Sequence, residues 1–355
     1  MAALHLAPRA FAPLIKPRAR GVLGLGASCL LITLAAPAVA ETFVVSSLAD
    51  SGPGSLRQAV AQANANPGLD LIRFGVSGTI ELQTPLDVAD DLRIDGGNQR
   101  VVISGGDRST LIVQSDAGKW LELMRLSFAR ASYSQSTGGA IHAKGTLRLV
   151  ETLFTDNVAP VGGAVFSNGP RLVIVNSTFA SNRALSWGGA VAVGPSTEAI
   201  IVSTTFVAND AAQFGGTVFQ NPIFPGSNYT GSMVLRNTLI SGVAAQGNCS
   251  VISNRLIDGG GNLNSDGSCP FTQDKGSANH VNPMLGELAQ HGGPTRSFAP
   301  LPGSPAIDSG IDALLQGLGV TTDQRGYQRV AGSRVDRGAF EVQAGDRTAA
   351  VPPRP

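Results

Sequence analysis

Four segments of the chain end alike, and their spacing leaves few folds open. LELMRLSF ends at Phe128, LRLVETLF at Phe154, LVIVNSTF at Phe179 and AIIVSTTF at Phe206, at intervals of 26, 25 and 27 residues. Each Phe is followed by a glycine pair: Gly138-Gly139, Gly162-Gly163, Gly188-Gly189 and Gly215-Gly216. Asn stands three places after the Phe in three units, at Asn157, Asn182 and Asn209, whereas the first unit has Ala131. Between these markers lie short runs of Val, Ile, Leu and Thr broken by Gly, Asn and Ser, too short for a ten-residue helix. Strands that recur at this interval without crossover helices must coil, each turn parallel to the one before. The chain therefore reads as an all-β solenoid, a parallel β-helix whose turns lie about 4.8 Å apart.

Stacked turns carry consequences for single residues. The four Phe should form one internal aromatic column, the Asn a ladder of side-chain amides at a turn, and the glycines should sit where the coil bends sharply. Glu122 and Arg148, Arg125 and Glu151, and Arg130 and Asp156 are each 26 residues apart, so opposite charges should meet on neighbouring rungs. Strand-like pieces upstream, at 71–74, 79–82, 92–95, 101–104 and 111–114, read as irregular early rungs. Ser55 to Asn64 is the clearest helix: Leu56, Ala59, Val60 and Ala63 share a face, and Ser55 with Gln58 forms a capping box. It should plug the exposed first turn. Met233 to Ile240 resembles a late rung, and the stretch after residue 278 lacks the repeat and should cap the other end.

Residues 1–40 have the build of a signal peptide. Arg9, Lys16, Arg18 and Arg20 precede an apolar run from Val22 to Leu34, and Ala38-Val39-Ala40 supplies small residues for cleavage. Cleavage removes four of the 26 Lys and Arg and none of the 25 Asp and Glu, leaving a net charge of −3 and no pull toward nucleic acid. Only 14% of residues are charged, which excludes a basic nucleic-acid binder and an acidic disordered chain. The mature chain keeps Cys249 and Cys269, an even pair that in an exported protein argues for one disulfide, worth about 3 kcal/mol by chain-entropy arguments. The expected organisation is signal peptide 1–40, β-helix with its N-terminal cap 41–278, C-terminal cap 279–343 and a polar tail 344–355, with no integral membrane segment after cleavage.

These markers resemble a bacterial family. Gly54-Ser55-Leu56-Arg57-Gln58-Ala59 is similar to an N-terminal CSLREA motif, with Gly for Cys and Gln for Glu. The repeats look like right-handed, pectate-lyase-like β-helix units. GGNLNSDGSC, NPMLGELAQHGGPTRSFAPLPGSPAIDSG and TDQRGYQRVAGSRVDRGAF resemble the choice-of-anchor Q domain. The resemblance implies a right-handed parallel β-helix with an N-terminal capping helix and a loop-rich C-terminal cap, in an exported or surface protein of adhesin-like character. It implies no established reaction.

Enzymes on β-helices, polysaccharide lyases and glycoside hydrolases, need clustered carboxylates and a basic side chain in one groove. The candidates here are Glu122, Arg125, Arg148, Glu151 and Asp156, each of which already has a partner of opposite sign on the next rung, so salt pairing is the reading we adopt. Asn262, Asn264 and Asp266 resemble the first half of a calcium loop, but position twelve is Gln273, and a polar Asx-rich turn is the preferred reading. Asp323, Arg325, Asp336 and Arg337 read as a structural lock. No cofactor is expected beyond that calcium alternative. The expected role is binding of a polysaccharide or cell-surface glycan by a lateral face rich in Asn, Ser and Thr. The alternatives are a polysaccharide lyase or hydrolase and a structural spacer.

Overall fold

The computed structural model describes residues 40–108, 111–132, 137–220, 230–242, 244–250 and 255–346. The expected signal peptide (except Ala40) and most of the expected C-terminal tail lie outside these residues. The chain winds as a right-handed parallel β-helix of about eight turns. Nine parallel strands, from Thr42–Val45 to Leu256–Asp258, form the first sheet. Eight strands from Gly78–Glu81 to Leu263–Asn264 form the second, and six from Leu86–Val88 to Val218–Gln220 the third. A three-stranded ribbon (Val158–Val161, Arg183–Trp187, Asp210–Ala211) is inserted between the second and third.

The register stacks the repeat markers. Phe128, Phe154, Phe179 and Phe206 pair in succession along the second sheet. Their rings stack at 4.9, 4.7 and 5.0 Å between centroids, fully buried. Ile103 and Ile240 occupy the same register position at the two ends of the column. Asn182 shows how the amide ladder works. Its Nδ2 donates to the Phe154 carbonyl at 3.0 Å and to Asn209 Oδ1 at 2.9 Å, while its Oδ1 accepts from the backbone N–H and Nδ2 of Asn157 at 3.2 and 2.9 Å. The first unit can carry Ala131 because the ladder ends there, with the Ala131 N–H donating to Asn157 Oδ1 at 3.0 Å. In the glycine pairs the first member adopts positive φ, +63° at Gly162. The second faces the next turn: a Cβ on Gly163 would lie 2.1 Å from the Gly189 carbonyl oxygen.

Two sequence expectations change. Arg130 and Asp156 do not pair; Arg130 donates to the Ser104 hydroxyl of the preceding turn at 3.2 Å. Both residues are exposed, and a solvent-screened pair gains too little to hold two long side chains together. Much of the Asn, Ser and Thr content of the repeats also points away from any sugar-facing surface: Asn157, Asn182, Asn209, Thr152, Ser177 and Thr204 are all buried, the Asn and Ser177 bonding groups of adjacent turns and Thr204 the Val202 carbonyl of its own turn. A turn between parallel strands leaves backbone groups without ladder partners, and these side chains satisfy them.

The N-terminal helix spans Leu56–Ala65 and buries Leu56, Ala59, Val60 and Ala63 over the first turn. Ser55 Oγ accepts from the Gln58 N–H at 3.2 Å, and Gln58 Oε1 accepts from Gly54 N–H at 2.7 Å, one residue before the position a capping box uses. At the far end Cys249 and Cys269 are joined by a disulfide with Cα atoms 5.0 Å apart. The segment after residue 278 does more than close the last turn. Ala306 packs with Leu239 and Leu263, Leu315 and Val335 with Val202, and the Gly338 N–H donates to Asn237 O at 2.8 Å. It then runs back along the flank as far as Glu151.

Candidate functional site

The corner between the first and second sheets is built from residues in the left-handed region. Arg125, Glu151, Asn176, Ser203 and Asn237 have φ of 53, 56, 47, 47 and 45° and occupy equivalent positions in successive turns. Such a conformation is uncommon outside glycine and is held here by stacking with the turns above and below. Two stretches of the C-terminal segment fold against this corner. Thr295 Oγ1 donates to the Glu151 carbonyl at 3.2 Å, and Thr322 Oγ1 to Glu151 Oε1 at 2.9 Å. Gln324 Nε2 donates to Thr295 Oγ1 and Arg296 O, both at 3.0 Å, tying the two stretches together. The glycines of the HGG sequence allow the contact: a Cβ on Gly292 would lie 2.6 Å from the Tyr327 hydroxyl, and one on Gly293 2.6 Å from Arg325 Cα.

Between the corner and these stretches lies a cavity of about 670 Å³, lined among others by Asn98, Arg100, Arg125, Glu151, Arg325 and Tyr327. A second hollow of about 350 Å³ shares Gly97, Asn98 and Arg125 with it and adds Arg73 and Asp95. Arg125 is held in place, with Nε 2.9 Å from Asp95 Oδ1 and Nη1 3.6 Å from Glu151 Oε2. Burial pushes the Glu151 carboxyl above its ordinary range, against the pull of Thr322 and Arg125. Arg325 is almost wholly buried and saturated: it bonds Asp323, Asp346 and the carbonyls of His291 and Glu341, with its guanidinium over the Phe340 ring at 3.5 Å and the Tyr327 ring at 4.7 Å. Tyr327 is 46% exposed. Arg73 and Arg100 are exposed and, among the described residues, their guanidinium groups have no partner.

The five sequence candidates separate. Arg125 and Glu151 share the cavity. Glu122 and Arg148 form an ion pair on the outer face of the first sheet, where Arg93 also binds Glu122, leaving that carboxylate 1% exposed. Arg148 lines a different hollow of about 370 Å³, with Trp120 and Arg171. Asp156 lies at another corner, exposed. Asn264 and Asp266 form a hydrogen-bonded turn, in which Asp266 Oδ1 accepts from the Ser268 N–H at 2.9 Å and Asn264 Nδ2 donates to Asp266 Oδ1 at 2.8 Å, whereas Asn262 turns away and donates to the Leu235 carbonyl and Asp258 Oδ1, both at 2.8 Å. Among the described residues no group of three or more His, Cys, Asp or Glu is placed to hold a metal ion. Arg73, Asn98, Arg100, Thr322 and Tyr327 escaped sequence reasoning, because non-repeating segments offer no register; the one signal was the TDQRGY phrase, which contains two of them.

Behind the cavity the phrases TDQRG and VDRGAFE interlock through buried carboxylates. Asp323 Oδ2 accepts from Arg325 Nε and the Glu341 N–H, Asp336 Oδ2 from the Val342 N–H, and Glu341 from the N–H groups of Ala331 and Asp336. Arg329, fully buried among them, donates to the carbonyls of Asp336 and Gly338. Burial pushes the Glu341 carboxyl up to about 7, with Arg329 opposing. The folded chain then holds a proton that the unfolded chain releases near 4.5, so this group's contribution to stability falls as pH rises from about 4.5 to about 7. His142 and His291, both lowered by burial, act in the opposite sense below 6.5, so the effect is read against a variant. The stability of the parent relative to Glu341→Gln should decline by about 3 kcal/mol across that window in urea titrations. A pH-independent difference would exclude a raised Glu341.

No protein-family model matches the chain, and no curated protein matches its sequence. Among the described residues no helix is long and apolar enough to cross a membrane.

Proposed function

We propose that this is an exported, secreted or cell-surface β-helix protein of adhesin-like character that binds glycans without turning them over, built on the CSLREA and choice-of-anchor Q pattern. The disulfide supports an oxidising compartment. The observation that carries the reading is the corner cavity, which sets a half-exposed Tyr327 beside the side chains of Asn98, Arg100 and Thr322. An aromatic face for the apolar side of a sugar, with a few fixed polar groups for its hydroxyls, is the chemistry of a saccharide site. Its donors come from an end of the chain and a corner of the coil, and the repeat columns serve only to hold them.

The test is binding of the purified protein to an array of neutral and acidic glycans, followed by titration of the best ligand. Tyr327→Ala should weaken that ligand roughly tenfold, the loss of about 1.4 kcal/mol of ring contact, with the fold retained by circular dichroism. An array without ligands would favour the spacer reading. One observation supports an enzyme as second reading: a Glu151 carboxyl raised by burial shares the cavity with Arg100. Incubation with uronate polymers, with and without calcium, and ultraviolet detection of unsaturated product tests it. Turnover abolished by Glu151→Gln would overturn the binding assignment.

A further inference from the structure

We infer that the saccharide taken by the corner groove is anionic, a chain bearing carboxylate or sulfate groups; the inference rests on the glycan-binding reading above. The two adjoining hollows contain four arginines against two carboxylates, Asp95 and Glu151. These arginines differ in what they can still do. Arg325 has spent its donors on Asp323, Asp346 and two backbone carbonyls. Arg125 is engaged by Asp95 and Glu151. Arg73 and Arg100 keep free guanidinium groups among the described residues, one in each hollow. Both carboxylates of the groove bond Arg125, and among the described residues neither forms an ion pair with Arg73 or Arg100.

A guanidinium fork binds carboxylate and sulfate oxygens with paired, charge-assisted hydrogen bonds, and it discriminates poorly among neutral hydroxyls. Arg73 and Arg125 stand two turns apart, since Arg73 pairs with Asp95 and Asp95 with Met124, the neighbour of Arg125. At about 4.8 Å per turn these two turns span roughly 10 Å of the corner, so an extended chain lying along it passes both Arg73 and the cavity lined by Arg100. The small negative charge of the whole mature chain does not oppose this, because attraction over a few ångströms follows the local field rather than the sum.

The test measures binding of the full chain, after export, to oligogalacturonate, to heparin-derived oligosaccharide and to neutral cello-oligosaccharide of matched length, at low and high salt. Binding to either or both anionic probes, much weaker binding to the neutral one and weakening by salt are expected. The two anionic arms separate a uronate ligand from a sulfated one. Arg73→Glu and Arg100→Glu should each weaken binding roughly tenfold, the loss of one charge-assisted hydrogen bond. Both side chains are exposed and have no partner among the described residues, so circular dichroism should be unchanged. Equal affinity for the neutral probe, insensitive to both substitutions, would overturn the anionic inference and leave glycan binding standing. Failure of all three probes, with a silent array, would overturn both.

Discussion

Phe179→Ala is expected to destabilise the β-helix by about 3–5 kcal/mol, seen as a lowered urea midpoint with little change in slope. Phe179 has stacked neighbours on both sides, Phe154 at 4.7 Å and Phe206 at 5.0 Å, and is fully buried. Truncation removes the ring's burial and both ring contacts at once. The cavity cannot collapse, because the turns above and below are pinned by the backbone ladders of three sheets. Phe179→Leu should recover more than half of the loss, since most of the effect is volume and apolar area. A loss below about 1 kcal/mol for Phe179→Ala would mean that the column does not carry the packing assigned to it.

Asn182→Ala is expected to cost about 3 kcal/mol although it leaves only a small void. Asn182 makes four side-chain hydrogen bonds, and its removal strips the buried Asn157 N–H of its acceptor and the Phe154 carbonyl of a donor. Asn182→Asp separates polar satisfaction from shape. It keeps the acceptor toward Asn157 but turns a second oxygen onto Phe154 O and Asn209 Oδ1, in a position 1% exposed. Burial should raise the introduced carboxyl above its ordinary range, so its penalty should grow as pH rises through 4 and beyond and shrink on acidification. Thermal melts of both variants between pH 3.5 and 7 check this at roughly unit steps. An Asn182→Asp penalty that is flat with pH would place the side chain in water and dismantle the ladder.

Much of the solenoid was legible because its information is periodic. Phe128 to Phe206, the glycine pairs and Asn157 to Asn209 recur at a nearly constant interval, and a turn of fixed rise converts equal sequence spacing into direct contact. The same logic found Glu122 with Arg148 and Arg125 with Glu151. It failed where no interval applies. Arg93 and Asp95 lie 29 and 30 residues before their partners Glu122 and Arg125, in turns of irregular length, so they stayed hidden. Arg130 and Asp156 had the right interval, but register places backbones and does not hold exposed side chains together.

The amino-acid sequence by itself determined the coil, its inner columns, the plug helix and the Cys249–Cys269 bridge, because each depends on local pattern and on neighbours one turn away. Only the tertiary structure decided that Asn157, Asn182, Asn209, Thr152, Ser177 and Thr204 are buried rather than turned to water, since turn backbone demands their hydrogen bonds. It alone returned Thr322, across 171 residues of separation, and Tyr327 beside it to the corner at Glu151. A contact of that range follows from how the non-repeating end packs on a surface that exists only after the turns have stacked. No sequence interval encodes it.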